Sequence, residues 1–212
     1  MEIINSSISN YAEKYTSAEP SVLLDLNRET YANILMPRML SGHVQGRLLS
    51  MLSHMIRPKN ILEIGTYTGY SAICLAEGLR ENGHLYTIDI NDELAPLVNL
   101  YIARAGMTNK IITHYGNAIE IIPTLSGPYD LVFIDADKIN YSQYYNLVIE
   151  KVSSGGYLIA DNVLWDGKIL DLKNADKDTI AIHQFNEKIN NDKRVENVLL
   201  TMRDGLMIIR KK

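Results

Sequence analysis

Acidic and amide side chains end two short apolar segments of this 212-residue chain and are suited to binding a hard cation. Asp135 lies in the segment FIDADK (residues 133–138), and Asp161 and Asn162 lie in the segment ADNVLW (residues 160–165). Neighbouring parallel strands lie about 4.8 Å apart, so these side chains meet at one edge if both segments are strands of one sheet. Oxygen ligands without His or Cys favour Mg²⁺ or Mn²⁺ over Zn²⁺. The alternative is that these acids are solvated helix caps, and neither motif by itself separates the two interpretations.

Lys138, which follows Asp135 in the same segment, is a candidate general base. A neighbouring divalent cation and partial burial both disfavour an ammonium group. A neutral amine in this place can take the proton of a hydroxyl group. Most lysines are surface residues, so it is the position beside Asp135 that favours a catalytic role.

A glycine-containing turn, EIGTYTGYS (residues 63–71), follows the first strand-like segment. Its spacing is G-x-x-x-G, whereas dinucleotide-binding folds carry G-x-G-x-x-G. The charge of Glu63 would repel a pyrophosphate but suits an ammonium or sulfonium group. Asp89 ends the next strand-like segment, where an acid can accept hydrogen bonds from ribose hydroxyls. The combination predicts a cationic cofactor that carries a nucleoside; an ordinary tight turn followed by an acidic strand end is the alternative.

The segments between these motifs predict the sheet that would position them. Short apolar runs without clean alternation are typical of strands buried on both faces of a parallel sheet; they are 61–64, 85–90, 111–114, 131–134 and 157–160. Segments with helical spacing lie between them, at 71–79, 93–105, 118–124 and 141–152. This alternation predicts a doubly wound, Rossmann-like α/β sheet with right-handed crossovers.

The two ends of the chain depart from this alternation. Strand-like segments at 195–201 and 206–210 flank Asp204–Gly205, a hairpin signal, so we expect a mostly parallel, seven-stranded sheet that ends in an antiparallel hairpin. Residues 8–57 predict three helices, with Ser41 as the candidate N-cap of the third. Because no linker interrupts the chain, we predict one domain over residues 1–212, with a helical N-terminal cover (1–57) and an α/β core (58–212). The charged stretch 171–178 is expected to be a solvated loop.

Composition restricts the class of protein further. The net charge is −4 and no basic stripe occurs, which argues against nucleic acid as a partner. Cys74 is the only cysteine, so the chain cannot form an internal disulfide, and this is compatible with a location in a reducing compartment. The N-terminus lacks a signal-peptide pattern, and no apolar run reaches the roughly 20 residues that cross a bilayer. We therefore expect a soluble, cytoplasmic protein without a membrane partner.

With these motifs in place, the sequence resembles the cation-dependent class I O-methyltransferases, the family of catechol and caffeoyl-CoA O-methyltransferases. The segments EIGTYTGYS, TIDIN, FIDADKINY and ADNVLW occur in the family's order and spacing, and the resemblance runs from about Ser41 to the C-terminus. Residues 1–40 match only loosely, in the region where such enzymes differ in substrate recognition. The resemblance implies S-adenosylmethionine as methyl donor and a homodimer.

The resemblance also implies roles for individual residues. Asp135, Asp161 and Asn162 match the metal ligands, with Mg²⁺ as the first expectation and Mn²⁺ or Ca²⁺ as alternatives, and Lys138 matches the catalytic base. Substrate contacts are implied for Lys138, Trp165 and Asp166, the last of which stands where the plant enzymes have Asn, so the acceptor stays undecided. Contacts with the methyl donor are implied for Ser41, Glu63, Gly65, Thr66, Tyr67, Ser71, Asp89, Ala118, Asp135 and Asp137, of which Ser41 touches the methionine end, Asp89 the ribose and Ala118 the adenine.

These observations predict methyl transfer to a hydroxyl of a small vicinal dihydroxy-aromatic molecule. Both oxygens of the diol would chelate the cation, Lys138 would take the proton, and the phenolate would attack the sulfonium methyl in line. Two alternatives stay open: an NAD-dependent oxidoreductase on a similar sheet and a non-catalytic protein that binds an adenosine ligand. The absence of G-x-G-x-x-G and the presence of Glu63 count against the oxidoreductase. The complete set of metal and base residues counts against the non-catalytic protein.

Overall fold

One sheet of seven strands forms the centre of the protein within residues 5–173 and 175–212, which are the residues described by the structure, a computed structural model. The strands are Asn60–Ile64 (β1), His84–Asp89 (β2), Ile111–Tyr115 (β3), Tyr129–Ile134 (β4), Val152–Asp161 (β5), Val195–Leu200 (β6) and Leu206–Lys211 (β7). Their order in the sheet is β3-β2-β1-β4-β5-β7-β6. Strands β1 to β5 pair in parallel, and β7 pairs antiparallel with both β5 and β6. The predicted doubly wound, mostly parallel sheet with a C-terminal antiparallel hairpin is confirmed.

Helices pack on both faces of this sheet. On one face α6, α7 and α8 bury Ile122, Val148 and Phe185 against the strands. On the other face α3 and α4 contribute Leu49 and Leu75 to a second apolar cluster, together with α2 and α5. The α-helices are Ser6–Lys14 (α1), Ser21–Asn33 (α2), Gly42–Ile56 (α3), Tyr70–Ala76 (α4), Ala95–Arg104 (α5), Ala118–Thr124 (α6), Tyr141–Val148 (α7) and Lys177–Asn191 (α8). In the part of the chain that the structure describes, no helix is long and apolar enough to cross a bilayer.

The predicted N-terminal helices are present as α1, α2 and α3, although residues 1–4 of the predicted cover lie outside the described residues. Helix α1 buries none of its residues, whereas α2 buries Leu23 and Leu26 in the cluster that also holds Leu49 of α3. Ser41 stands at the N-cap position of α3, but its side chain makes no capping hydrogen bond. The predicted N-cap position of Ser41 is therefore confirmed, although the side-chain hydrogen bond that usually accompanies it is not formed.

Helix α8 is an element that the sequence pattern did not predict. It begins at Lys177, inside the stretch 171–178 that was expected to be a solvated loop, of which Asn174 lies outside the described residues. Asp176 caps it by accepting hydrogen bonds from the Thr179 main-chain nitrogen (2.8 Å) and hydroxyl (2.6 Å). The buried residues Ile182, Phe185 and Ile189 have helical spacing, but polar residues dominate between them and weaken the periodic signal.

Candidate active site

The carboxyl ends of β4 and β5 bring the predicted metal ligands together. Ile134 and Ala160 are register partners on these neighbouring strands, so Asp135 and Asp161 follow at the same edge of the sheet. Asp161 is buried, with 3% of its surface exposed. Burial and, next, the negative charge of Asp135 raise the pKa of Asp161 above its ordinary value. The two carboxylates therefore lie close enough to repel each other, and a positive charge between them would be favourable.

Lys138 lies at the centre of a hydrogen-bond network at this edge. Its ammonium group, on a side chain that is 8% exposed, donates to Asp135 Oδ1 (3.1 Å), Asn162 Oδ1 (2.8 Å) and the Tyr141 hydroxyl (2.7 Å). The Tyr141 hydroxyl in turn donates to the main-chain oxygen of Asp161 (3.0 Å). The predicted base is thus hydrogen-bonded to two of the three predicted metal ligands. It is also hydrogen-bonded to Tyr141, the first residue of α7.

The donor set at this edge fits a hard divalent cation. One positively charged group, the Lys138 ammonium, already contacts oxygens of both Asp135 and Asn162, and Asp161 lies beside them. Within the described residues no group of three His, Cys, Asp or Glu side chains is arranged to bind a metal. The set here has two carboxylates and one amide oxygen instead, which leaves positions of a six-coordinate ion to water or substrate.

The turn between β1 and α4 is shaped by Gly65 and Asp89. Gly65 has a φ of +102°, and a Cβ at this position would lie 1.9 Å from the main-chain oxygen of Asp135. The Asp89 carboxylate accepts hydrogen bonds from the main-chain nitrogens of Thr66 (2.9 Å) and Tyr67 (2.7 Å). Asp89, predicted from sequence as a ribose contact, therefore also holds the backbone of the turn that was predicted to bind the methyl donor.

Glu63, on β1, is fully buried, and only one of its carboxylate oxygens has a partner among the residues that the structure describes. Its Oε2 accepts a hydrogen bond from the Thr87 hydroxyl (2.6 Å), whereas Oε1 is buried with no hydrogen-bond partner within residues 5–173 and 175–212. Burial raises the pKa of Glu63 to about 8, while the neighbouring hydroxyl groups of Ser71 and Thr87 oppose this rise. A buried carboxylate oxygen of this kind fits a ligand that brings a cationic nitrogen or sulfur to it.

Three further residues predicted to contact the methyl donor lie on other segments of the chain. Ser41 is buried, and its main-chain oxygen accepts a hydrogen bond from Arg203. Ala118 is the buried first residue of α6. The Asp137 carboxylate accepts hydrogen bonds from Asn140 Nδ2 (2.6 Å) and from the hydroxyl of Tyr144, so it is held by the segment that leads into α7.

The predicted substrate residues follow β5 in a tightly turned segment. The ring centroid of Trp165 lies 5.7 Å from Lys138 Nζ. The indole nitrogen of Trp165 is buried and has no hydrogen-bond partner in the described part of the chain. Trp165 and Asp166 have φ values of +48° and +53°, in the left-handed region. The main-chain nitrogen of Asp166 donates to the carboxylate of Asp204 in the β6–β7 connection. Trp165 therefore lies beside the predicted base, and Asp166 is joined to the C-terminal hairpin.

Sequence reasoning missed several polar residues that contact this site. Gln45 on α3 is 1% exposed and donates to Asp161 Oδ2, and Arg203 donates to Gln45 Oε1 (3.4 Å). Thr87 on β2 donates to Glu63. A glutamine inside an amphipathic helix and a threonine inside a strand are ordinary residues in those places, so the sequence carries no signal that would have singled them out.

Comparisons with known proteins show which family the chain is similar to. A sequence model of the family described as O-methyltransferase matches residues 13–212. The chain is 34% identical over 203 residues to a catechol O-methyltransferase of Niastella koreensis, and the match covers 94% of this chain and 91% of that relative. It is also 32% identical over 205 residues to caffeoyl-CoA O-methyltransferase 1 of Arabidopsis thaliana, covering 91% of this chain and 79% of the plant protein.

A solved structure is similar over nearly the whole chain. The O-methyltransferase from Bacillus cereus, in complex with SAH, superimposes with a TM-score of 0.90 at 28% sequence identity, covering 97% of each chain. The likeness therefore extends through the N-terminal helices and the C-terminal hairpin as well as the central sheet.

Proposed function

The chain belongs to the O-methyltransferase family and is an S-adenosylmethionine-dependent O-methyltransferase, and on this premise we propose that it methylates a hydroxyl of a small vicinal dihydroxy-aromatic molecule with the help of a divalent cation. The observation that carries the proposal is the network in which Lys138 contacts Asp135 and Asn162 next to Asp161. A base and a set of oxygen ligands at one sheet edge are what a diol needs in order to lose a proton and be held in place.

Asp135, Asp161 and Asn162 would hold the cation in this proposal. When bound, the cation lowers the pKa of a coordinated hydroxyl and orients the diol. Lys138, in its neutral form, has a lone pair for the proton of the hydroxyl that is methylated. Tyr141 and Asn162 keep the Lys138 nitrogen in place through their hydrogen bonds to it.

The β1–α4 turn would bind the methyl donor. Glu63 Oε1, buried without a partner, would accept a hydrogen bond from the donor's amino group, and Asp89 would accept one from its ribose. Gly65 lets the donor approach the backbone, and Ser41, Ser71, Ala118 and Asp137 would complete the donor site.

The transfer step itself balances without a further reactant. The phenolate oxygen forms a bond to the methyl carbon while the bond from that carbon to sulfur breaks, and the electron pair stays on sulfur. The products are a methyl ether and S-adenosylhomocysteine, and the proton is on Lys138. Trp165, beside Lys138, would contact the aromatic ring, with Asp166 next to it. The contribution of the chain is alignment and electrostatics.

Two further expectations are kept as part of this proposal. We propose a homodimer on the basis of the family resemblance alone. A cytoplasmic location is also proposed, and the single cysteine, which is buried and free, is compatible with it. The family match gives no support to the NAD-dependent oxidoreductase or to the non-catalytic adenosine-ligand protein.

The test is a methyl-transfer screen over vicinal dihydroxy-aromatics, including flavonoids and thioester-linked phenylpropanoids, with Mg²⁺, Mn²⁺ and Ca²⁺ compared. Monohydroxy analogues of the same molecules are the matched control. We expect methylation of diols only, loss of turnover in EDTA, recovery on addition of Mg²⁺, and unchanged donor binding by calorimetry in EDTA. Undiminished turnover in EDTA would reject the cation, and equal rates on the monohydroxy analogues would reject chelation by the diol.

A further inference from the structure

A chain of hydrogen bonds connects the C-terminal hairpin to Asp161 through the N-terminal helices. Arg203, in the β6–β7 connection, donates to Gln45 Oε1 (3.4 Å), and Gln45 Nε2 donates to Asp161 Oδ2. Gln45 lies on α3 and Asp161 ends β5, so the chain joins three elements that are distant in sequence. None of these contacts is explained by the roles assigned above.

Gln45 fixes the plane of the Asp161 carboxylate. The other oxygen of this carboxylate, Oδ1, accepts a hydrogen bond from the main-chain nitrogen of Asn162 (2.8 Å). With one protein donor on each oxygen, the carboxylate has a single favoured orientation. Both Gln45 and Asp161 are almost completely buried, so water cannot readily replace the amide if it is removed.

Arg203 determines which way the Gln45 amide faces. A guanidinium group only donates hydrogen bonds, so the amide atom next to it must be the oxygen. The amide nitrogen then faces Asp161. Arg203 is itself held by the main-chain oxygens of Ser41 and Arg38, on the segment that leads into α3.

We propose that Gln45 and Arg203 are positioning residues that orient Asp161 for the divalent cation, with Gln45 acting on the carboxylate and Arg203 acting through Gln45. This inference rests on the proposed function, because it assumes that Asp161 is a metal ligand. Hydrogen bonds to a ligating carboxylate commonly set how tightly a site binds its metal. The helical N-terminal cover and the C-terminal hairpin are then parts of the metal site, although neither supplies a ligand.

The test compares cation binding in variants of each residue with matched controls elsewhere. Gln45→Leu removes the amide, and Arg203→Met removes the guanidinium. Arg203→Lys keeps the positive charge but lacks the several N–H donors of a guanidinium. The control variants are Gln184→Leu, at an exposed position of α8, and Arg210→Met, on β7. Mn²⁺ alone is the probe, and its binding is measured by electron paramagnetic resonance and water-proton relaxation, which do not require turnover. Donor binding is measured by calorimetry, and kcat and KM are measured separately.

We expect Gln45→Leu to bind Mn²⁺ about 10- to 100-fold more weakly than the wild type. Arg203→Met should weaken binding less, Arg203→Lys should recover part of the loss, and both control variants should bind normally. Because the two residues act in series, the double variant should lose little more than Gln45→Leu alone. The affinity for S-adenosylmethionine should stay unchanged in Gln45→Leu and in both control variants. Because Arg203 also holds the main-chain oxygen of Ser41 in the proposed donor site, the Arg203 variants are judged by their Mn²⁺ affinity.

Wild-type Mn²⁺ affinity in Gln45→Leu would overturn the inference while leaving the proposed function intact. Equal losses in Arg203→Met and Arg210→Met would overturn the role of Arg203. If the wild type itself binds no Mn²⁺, the cation in the proposed function fails, and the inference fails with it. Circular dichroism shows whether each variant folds. If Gln45→Leu does not fold, Arg203→Met, at an exposed position, carries the test, and wild-type Mn²⁺ affinity in that variant would overturn the inference.

Discussion

At the scale of single residues, the site is built from buried carboxylates that are costly without a positively charged ligand. Glu63 is fully buried and has a pKa raised to about 8, and the pKa of Asp161 is raised by burial and by Asp135. Burial disfavours the charged form of each acid, and a bound cation would offset that cost. Burial of these two carboxyl groups therefore lowers the stability of the folded protein, and the same burial makes the site favourable for cationic ligands.

This cost predicts the pH dependence of stability. Between about pH 4.5 and 8 the Glu63 carboxyl is ionised in the unfolded chain but protonated in the folded one, so the folded state binds more protons and stability falls as pH rises. At about 1.4 kcal/mol per pKa unit the loss amounts to a few kcal/mol. We expect Glu63→Gln to reduce this decline, as measured by urea unfolding at pH 5, 6.5 and 8 without ligand. A decline as steep in the variant as in the wild type would contradict the prediction, because Asp161 contributes equally to both proteins.

The role of Lys138 predicts a different kind of loss. Lys138→Met keeps most of the side-chain packing but removes the amine that takes the proton. Turnover should fall about 10²- to 10⁴-fold, the usual contribution of a general base. Donor affinity, measured by calorimetry, should not change, since Lys138 makes no contact with the β1–α4 turn in the proposal. The matched control is Lys188→Met on α8, which should keep its turnover; near wild-type rates in Lys138→Met would remove Lys138 as the base.

At the scale of elements, the site depends on how closely the β1–α4 turn approaches the end of β4. Gly65 lies against the main chain of Asp135, and the main-chain nitrogen of Asp135 donates to the oxygen of Ile64 (2.9 Å). The predicted donor site and the predicted metal site therefore share one backbone contact. A side chain at residue 65 would force the two apart.

We expect Gly65→Ala to be much more damaging than a glycine substitution at a comparable backbone angle. Gly106 has a φ of +70° and nothing within 4 Å of an added Cβ, so Gly106→Ala meets only backbone strain, about 1–2 kcal/mol. Gly65→Ala adds a steric clash, which costs roughly 1–3 kcal/mol more. Chemical unfolding gives the stabilities, and calorimetry gives the donor affinity, which should fall in Gly65→Ala alone. Equal effects of the two substitutions would show that the close approach is unimportant.

At the scale of the whole molecule, the N-terminal helices and the sheet share one apolar cluster. Leu23 and Leu26 of α2 and Leu49 of α3 pack in the same cluster as Ile61 of β1 and Leu131 of β4. The cover also bonds to the β1–α4 turn and its surroundings, through Thr30 to Thr68, Glu19 to Tyr70 and Glu29 to Tyr101. Such sharing supports the proposal of one domain over residues 1–212.

A single domain predicts a single unfolding transition. Because removing the cover would expose the cluster, residues of the cover and of the core should unfold together. Scanning calorimetry should show one peak whose calorimetric and van't Hoff enthalpies agree. S-Adenosylmethionine should shift this whole peak upward, since a ligand of the folded state stabilises all of it. A separate low-temperature transition that is lost when residues 1–57 are deleted would contradict a single domain.

The central sheet and the meeting of Asp135 and Asp161 at one of its edges were predictable from sequence because both depend on local patterns. The strands are apolar runs in the sequence, and the acids at residues 135 and 161 lie at the carboxyl ends of two of these runs. A parallel sheet therefore places both acids at one edge. Helix α8 was missed because its three apolar anchors are separated by polar residues. Ser41 is the N-cap residue of α3, as expected, but it makes no side-chain capping hydrogen bond, which the residue type alone does not reveal.

The sequence alone, then, determines that the sheet is mostly parallel, that the chain turns at Gly65 and which residue types lie at the sheet edge, because short-range periodicity and spacing encode these features. Only the tertiary structure decides that Gln45 and Arg203 contact Asp161, that Thr87 contacts Glu63, and that one oxygen of Glu63 is buried without a partner. These contacts join helix, strand and hairpin residues that lie far apart in the chain. Their geometry follows from how the elements pack, and no local pattern encodes packing between distant elements.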